Sequence, residues 1–325
     1  MKSRGSLGPI VSLVLMLGLV VASVLAVVHR QEVIDWWRLS QYKPSAEVLA
    51  LAESDTMQNR GRDLFYISDP KVEDSGSFNQ HCSNHGEQSI VLGCYTAQRI
   101  FLYNVTDARL SGVKEVTAAH EMLHAAYERL SHGDKQHVNA MLEPIIKNMQ
   151  DPRILDLIKL YNQQEPGELY NEMHSILGTE YAGLSPELED YYKQYFAGRQ
   201  KIVNYSQQYE ALLSQSKANI ALFDVRLGNL KTQIDQNNAT LQQKQQDLQT
   251  ESSRLNQLRA QDPQAYNQAV PSYNAQVREF NSLVEQTKSL VAEYNALVEQ
   301  RNQQAAAQDN LYQSLDSHYQ AVPQN

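Results

Sequence analysis

Residues 118–130 read AAHEMLHAAYERL, and the spacing of His120, Glu121 and His124 decides how the middle of the chain is read. On a helix, residues four apart project to one side, so both imidazoles reach one point while Glu121 lies beside them. A zinc hydrolase needs that arrangement: two neutral nitrogen ligands, and a carboxylate that takes a proton from water as the water attacks a carbonyl. The wider pattern VKEVTAAHEMLHAAYERL predicts a helix ending at His132-Gly133, with Gly133 as its stop. Upstream, IVLGCY and RIFLYNV are rich in β-branched and aromatic residues. They predict strands for the helix to pack on, with Arg99 to Val105 as an edge able to bind an extended chain.

Two imidazoles call for a third ligand. The metzincin pattern requires a Gly and a third His at places held here by Ala126 and Leu130, which excludes that class. His132 and His137 lie past the glycine stop and are expected to be exposed. A later helix, GELYNEMHSILGTEY over 167–181, offers Glu172, with Glu168, His174 and Glu180 as rivals. Glu168 and Glu172 share a face with Ser175, whereas His174 points elsewhere. Tyr170 and Tyr181 are candidate donors to a developing oxyanion, or else packing tyrosines.

The stretch NEMHSILGT resembles the third-ligand helix of thermolysin-like zinc peptidases, the gluzincins, in which Asn-Glu precedes a Ser and a Gly-Thr pair. The resemblance implies that His120, His124 and Glu172 bind zinc and that Glu121 is the general base. It covers the two helices and little else. His124 and Glu172 are 48 residues apart, longer than in thermolysin, so the segment around 134–165 is expected to loop out. Where the family has an Asp that orients a zinc-bound imidazole, this chain has Ile176. Ser175, Thr179 or Glu180 is left to supply that hydrogen bond. The order of apolar segment, LGCY strand, HEMLH helix and ILGTE helix also resembles an uncharacterised bacterial membrane-protein family that has no assigned substrate.

At 325 residues with a net charge of −9 and no basic cluster, the chain has no footprint for nucleic acid. Leu7 to Val28 is free of charge and long enough for a transmembrane helix, since a bilayer core of about 30 Å needs roughly 20 residues. Lys2 and Arg4 in front of it place the N-terminus in the cytoplasm, although Arg30 behind it weakens the asymmetry. A cleaved signal peptide is the rival reading. Either way the expected location is the cell membrane or beyond it, with the bulk of the chain extracytoplasmic. Trp36 and Trp37 follow as headgroup anchors or as ordinary packing residues. The two cysteines, Cys82 and Cys94, suit a disulfide in an oxidising compartment; the alternative is a metal site using His81, Cys82 and His85.

The last 120 or so residues change texture, with abundant Gln and Asn and apolar residues on a seven-residue repeat. Leu213, Ile220, Leu227, Ile234, Leu241, Leu248 and Leu255 make one seam, and Val277, Val284, Val291 and Val298 begin another. Pro263 and Pro271 between them can break a helix. The pattern predicts an antiparallel helical hairpin coiled coil, with a parallel dimer as the alternative.

The expected architecture is therefore mainly α with a small β-sheet. Residues 1–29 form a tip and transmembrane helix, 30–60 a tether and short helix starting at Ser45, 61–200 a zincin-like domain and 201–325 the hairpin. The expected function is a membrane-anchored zinc endopeptidase acting on a peptide or protein, with the hairpin for a partner or self-association. The alternative is a non-catalytic hairpin scaffold with a structural or degenerate metal site.

Overall fold

A computed structural model describes residues 8–82 and 90–319; Lys2, Arg4 and His85 lie outside these. The chain forms two compact units. One comprises Met1–Tyr209 together with Gln313–Asn325, and the other Glu210–Tyr312.

The first unit opens with helices α1 (Gly8–Val28), α2 (Arg30–Gln41), α3 (Ala46–Ser54) and α4 (Asn59–Ile67). Strand β1 (Lys71–Glu73) and helix α5 (Ser75–His81) follow, then strands β2 (Gly93–Thr96) and β3 (Arg99–Tyr103). Next come α6 (Val113–Glu128), α7 (His132–Lys147), α8 (Pro152–Gln164), α9 (Leu169–Thr179) and α10 (Pro186–Tyr192). Two long helices, α11 (Arg199–Gln261) and α12 (Pro263–Leu315), complete the chain.

The expected membrane span is corrected. The backbone is helical over Gly8–Val28, but among the described residues no helix is long and apolar enough to cross a membrane. A spanning helix needs about 20 apolar residues in an unbroken run, and the described residues of α1 supply none of that length. The single-pass membrane location falls with it. Residues 30–41, expected as tether, are instead α2, held by the Asp35 carboxylate against Arg129 (3.0 Å) and by Arg38 donating to Gln98. Trp36 and Trp37 on this helix are exposed and are not packing residues.

Ser45 caps α3 as its sequence predicts, accepting from the Val48 amide. The helix stops at Ser54 rather than running to Gly61. Thr56 adopts a left-handed φ of 52° and turns the chain into α4, where Gly61 is an interior residue. A side chain at Gly61 would put its Cβ 2.5 Å from the Tyr195 carbonyl oxygen, so glycine is required there for close approach. Likewise α6 ends at Glu128, before Gly133. Ser131 then caps α7 by accepting from the Asp134 amide, a local hydrogen bond that outcompetes helix continuation.

The sheet order is β1-β3-β2, with β1 parallel and β2 antiparallel to β3. Ile100, Phe101 and Leu102 of β3 are all buried, as suits a strand covered on both faces. Arg99–Tyr103 is thus the central strand, paired on both sides, and is not the edge expected for an extended chain; β1 and β2 are the edge strands. Cys94 of β2 is disulfide-bonded to Cys82 at the end of α5, which takes Cys82 out of the alternative metal site with His81 and His85.

Helix α6 packs closely on α9. Ala118, Ala119, Met122, Leu123 and Ala126 of α6 are buried in one cluster with Met173, Ile176 and Leu177 of α9. The small residues let the helices approach. A Cβ on Gly178 would fall 2.4 Å from Leu123 Cδ1 and 2.8 Å from Tyr192 Cε1. Such burial of side chains is worth about 1.5–3 kcal/mol for each large aliphatic group, and it fixes the two helices that carry the candidate ligands.

The second unit is an antiparallel helical hairpin. The turn is Asp262, whose carboxylate accepts from the Gln264 and Ala265 amides, with Pro263 as the first residue of α12. Pro271 lies inside α12 and does not end it. Asp224 meets Arg301 (3.0 Å), Arg226 meets Glu293 (2.6 Å) and Lys244 meets Glu279 (3.0 Å), a pairing possible only if the helices run in opposite directions.

Candidate metal centre

His120 and His124 sit one turn apart on α6, and Glu172 reaches them from the first turn of α9. Their ligand atoms lie within 4.8 Å of one another, and among the described residues this is the cluster able to hold a metal ion. The two Nε2 atoms are 3.0 Å apart, with Glu172 Oε1 3.6 Å from His120 Nε2 and Oε2 3.4 Å from His124 Nε2. The three side chains are only 14–16% exposed, so the donors converge in a largely enclosed pocket of the fold. The donor set of two imidazoles and one carboxylate suits a divalent metal cation. The three side chains are placed to bind a metal ion, and nothing in the geometry selects which metal.

Charge is unevenly divided among the three side chains. Burial by itself would push the His124 imidazole down, but its hydrogen bond and charge interaction with Glu172 hold it up at about 9. His120 is pushed down to about 4, chiefly by burial. Burial would raise Glu172, yet His120, His124 and the Tyr161 hydroxyl keep it ionised, at about 2. One proton is therefore held among the three side chains near neutral pH, and an incoming cation must displace it.

Partners outside the triad fix the rings. The outward-facing Nδ1 of His124 pairs with Asn171 Oδ1 at 3.0 Å, and Asn171 in turn donates to Glu168 (3.0 Å). Tyr161 of α8 donates to Glu172 Oε2 at 3.1 Å. Glu180, just past α9, places Oε1 4.0 Å from His120 Nδ1 and is paired with Arg153 of α8 at 2.6 Å. Helix α8 thus lies against the site, whereas the sequence reading has the segment 134–165 looping out. The sequence offered no signal for Tyr161 or Arg153, since nothing local marks a residue that arrives by tertiary packing.

The remaining candidates are elsewhere. His132 and His137 are exposed at the start of α7. His174 is buried on the far side of α9 among Tyr127, Tyr191, Tyr192 and Tyr195, its Nε2 2.9 Å from the Tyr191 hydroxyl. Burial, then the charges of His124 and His120, push it down to about 3, so it stays neutral. Glu168 precedes α9 and serves Asn171. Tyr170 and Tyr181 pack against the core cluster.

Glu121, adjacent to His120, is 5% exposed and belongs to no metal-binding group with the triad. It lies under β2. A Cβ on Gly93 would sit 2.8 Å from Glu121 Oε1 and 2.5 Å from Thr117 Cγ2, so the glycine lets the edge strand come down onto the helix at this carboxylate.

No family model, curated protein or solved structure matches the chain.

Proposed function

We propose that the chain is a zinc-dependent peptidase of thermolysin-like type, with His120, His124 and Glu172 as ligands and Glu121 as general base. The observation that carries this reading is the position of Glu121. It stands beside a ligand histidine and outside the ligand cluster, buried beneath the edge strand β2. A purely structural metal site has no use for a base there.

Zinc in such a donor set supplies Lewis acidity, polarising a carbonyl and making water a nucleophile near neutral pH. The protein's own groups do the rest. Asn171 orients the His124 ring, and Tyr161 holds one oxygen of Glu172, which keeps both ligands in register without further rearrangement. Glu121 accepts the proton of the attacking water and passes it to the leaving amine. Among the described residues no strand pairs with the outer edge of β2, which is suited to a peptide laid alongside it through main-chain hydrogen bonds, next to that carboxylate.

One observation favours the non-catalytic alternative. The triad is 14–16% exposed, an enclosure that a structural site would share. The purified full chain separates the two by its zinc content and its cleavage of a peptide library, wild type against Glu121→Gln. We expect stoichiometric zinc in both proteins and a loss of cleavage of about 10²–10⁴-fold in the variant. Zinc bound with no Glu121-dependent hydrolysis would leave the scaffold reading standing, and absence of zinc would remove the metal site from both.

A further inference from the structure

The position at which the resembled family has an imidazole-orienting Asp is Ile176 in this chain, and Ile176 is buried in the hydrophobic cluster. The neighbouring hydroxyls do not replace it. Thr179 Oγ1 donates to the Ser175 carbonyl, and Ser175 Oγ is buried without a hydrogen-bond partner among the described residues. Of the two ligand rings, His124 has Asn171 at its Nδ1. The group at Nδ1 of His120 is the Glu180 carboxylate, at 4.0 Å.

We propose that Glu180 is the positioning residue for His120, taking over from the C-cap of α9 the task that Ile176 cannot perform, with Arg153 holding the carboxylate in place. Glu180 is well suited to it. Its side chain is 10% exposed, its amide donates to the Ile176 carbonyl at 2.8 Å, and its second oxygen meets Arg153 at 2.6 Å, so backbone and side chain are both anchored. At 4.0 Å the carboxylate faces the neutral His120 ring at slightly more than direct hydrogen-bond distance. One bridging water at that separation would complete the hydrogen bond. The carboxylate then holds a proton on Nδ1, leaving the Nε2 lone pair directed at the point shared with His124 and Glu172. The two outer partners differ in kind, a neutral amide on one ring and an anion on the other, so His120 is the more strongly donating ligand.

This inference rests on the metal site and is independent of hydrolysis. Its test is competition for zinc between the full chain and a chromophoric chelator, for wild type, Glu180→Ala and Glu180→Gln. It is paired with imidazole nitrogen NMR of His120 in the zinc-loaded proteins. We expect Glu180→Ala to weaken zinc binding about 10–100-fold and to shift the His120 Nδ1–H signal. Glu180→Gln, which keeps an acceptor oxygen, should recover part of the affinity. The His124 signals and the thermal midpoint of the metal-free protein should stay as in wild type, which a general structural role would not allow. Wild type that binds zinc while Glu180→Ala binds it equally well, with an unmoved His120 signal, would overturn this proposal alone. Wild type that binds no zinc would overturn the metal site and this proposal together.

Discussion

Asp55 is fully buried at the end of α3, and neither of its carboxyl oxygens has a hydrogen-bond partner among the described residues. Burial first, and then the Glu115 charge, push its carboxyl well above the usual range of 3.8, with Lys201 opposing. Its folded-state value is raised, so its contribution to stability is fully present below pH 3.8 and is lost as pH climbs toward the folded value. Across that window the cost grows by about 1.4 kcal/mol per pH unit. Asp55→Asn removes the titration, so the variant should gain stability relative to wild type as pH is raised from 5 to about 8. Urea midpoints measured across that range check it, and parallel curves for the two proteins would show that Asp55 is not the buried acid described. The same physical limit governs how much of the metal centre was legible. His120, His124 and Glu172 announce themselves by spacing and by the Asn-Glu pair, because each ligand set lies within one helix. Arg153 and Tyr161 carry no local mark, and Glu180 stood among several carboxylates of one segment until the turn after α9 set its direction.

At the scale of elements, the hairpin joining β2 and β3 shows a local conflict resolved by its neighbours. Its two central residues, Ala97 and Gln98, both have left-handed φ, 48° and 59°. This is the twist a two-residue turn wants, but glycine and asparagine tolerate it far better. Arg38 of α2 donates to Gln98 Oε1 (3.1 Å), tying the strained turn to a helix. Replacing Ala97, whose side chain offers no local compensation, by Asn should stabilise the protein by about 0.5–1 kcal/mol. The unfolding midpoint reads the gain, and a lower midpoint would mean that the Ala97 methyl is itself packed. The turn also shows where sequence reading loses resolution. The strands were evident from β-branched and aromatic runs, while the absence of a Gly or Asn turn signal hid that β3 is the central strand and β2 the edge. Boundaries failed for a similar reason: Gly61 and Gly133 look like helix stops, but Thr56 and the Ser131 cap end the helices earlier. Pro271 looks like a break, yet α12 runs through it. By contrast, the seven-residue repeat specified two long coiled-coil helices, and the cross-helix pairs Asp224–Arg301 and Arg226–Glu293 decide for the hairpin over a parallel dimer.

Over the whole molecule, the two units ask for different kinds of evidence. The hairpin is held by a periodic apolar seam in which Leu230, Leu255 and Leu297 are buried, and by solvent-facing cross-helix ion pairs such as Lys244–Glu279, each worth at most about 1 kcal/mol. The first unit is held by a continuous core around α6 and α9, and it returns to its own C-terminal segment, where Ser317 donates to Asn79 Oδ1 (2.7 Å) and accepts Asn79 Nδ2 on its carbonyl (2.8 Å). All three candidate ligands belong to this first unit. Anything that binds only the folded state stabilises it, by about 2.7 kcal/mol at a hundredfold excess over the dissociation constant. Zinc at saturation should therefore slow amide hydrogen exchange in Val113–Glu128 and Leu169–Thr179, the helices that carry the ligands. Exchange in the stretch from Lys231 to Leu297 should be unchanged, because no part of the metal site lies in the hairpin. Mass-resolved exchange on the full chain, with and without zinc, measures both at once. Equal protection in the two units would mean that they open as a single cooperative body, and protection confined to the hairpin would place the metal elsewhere.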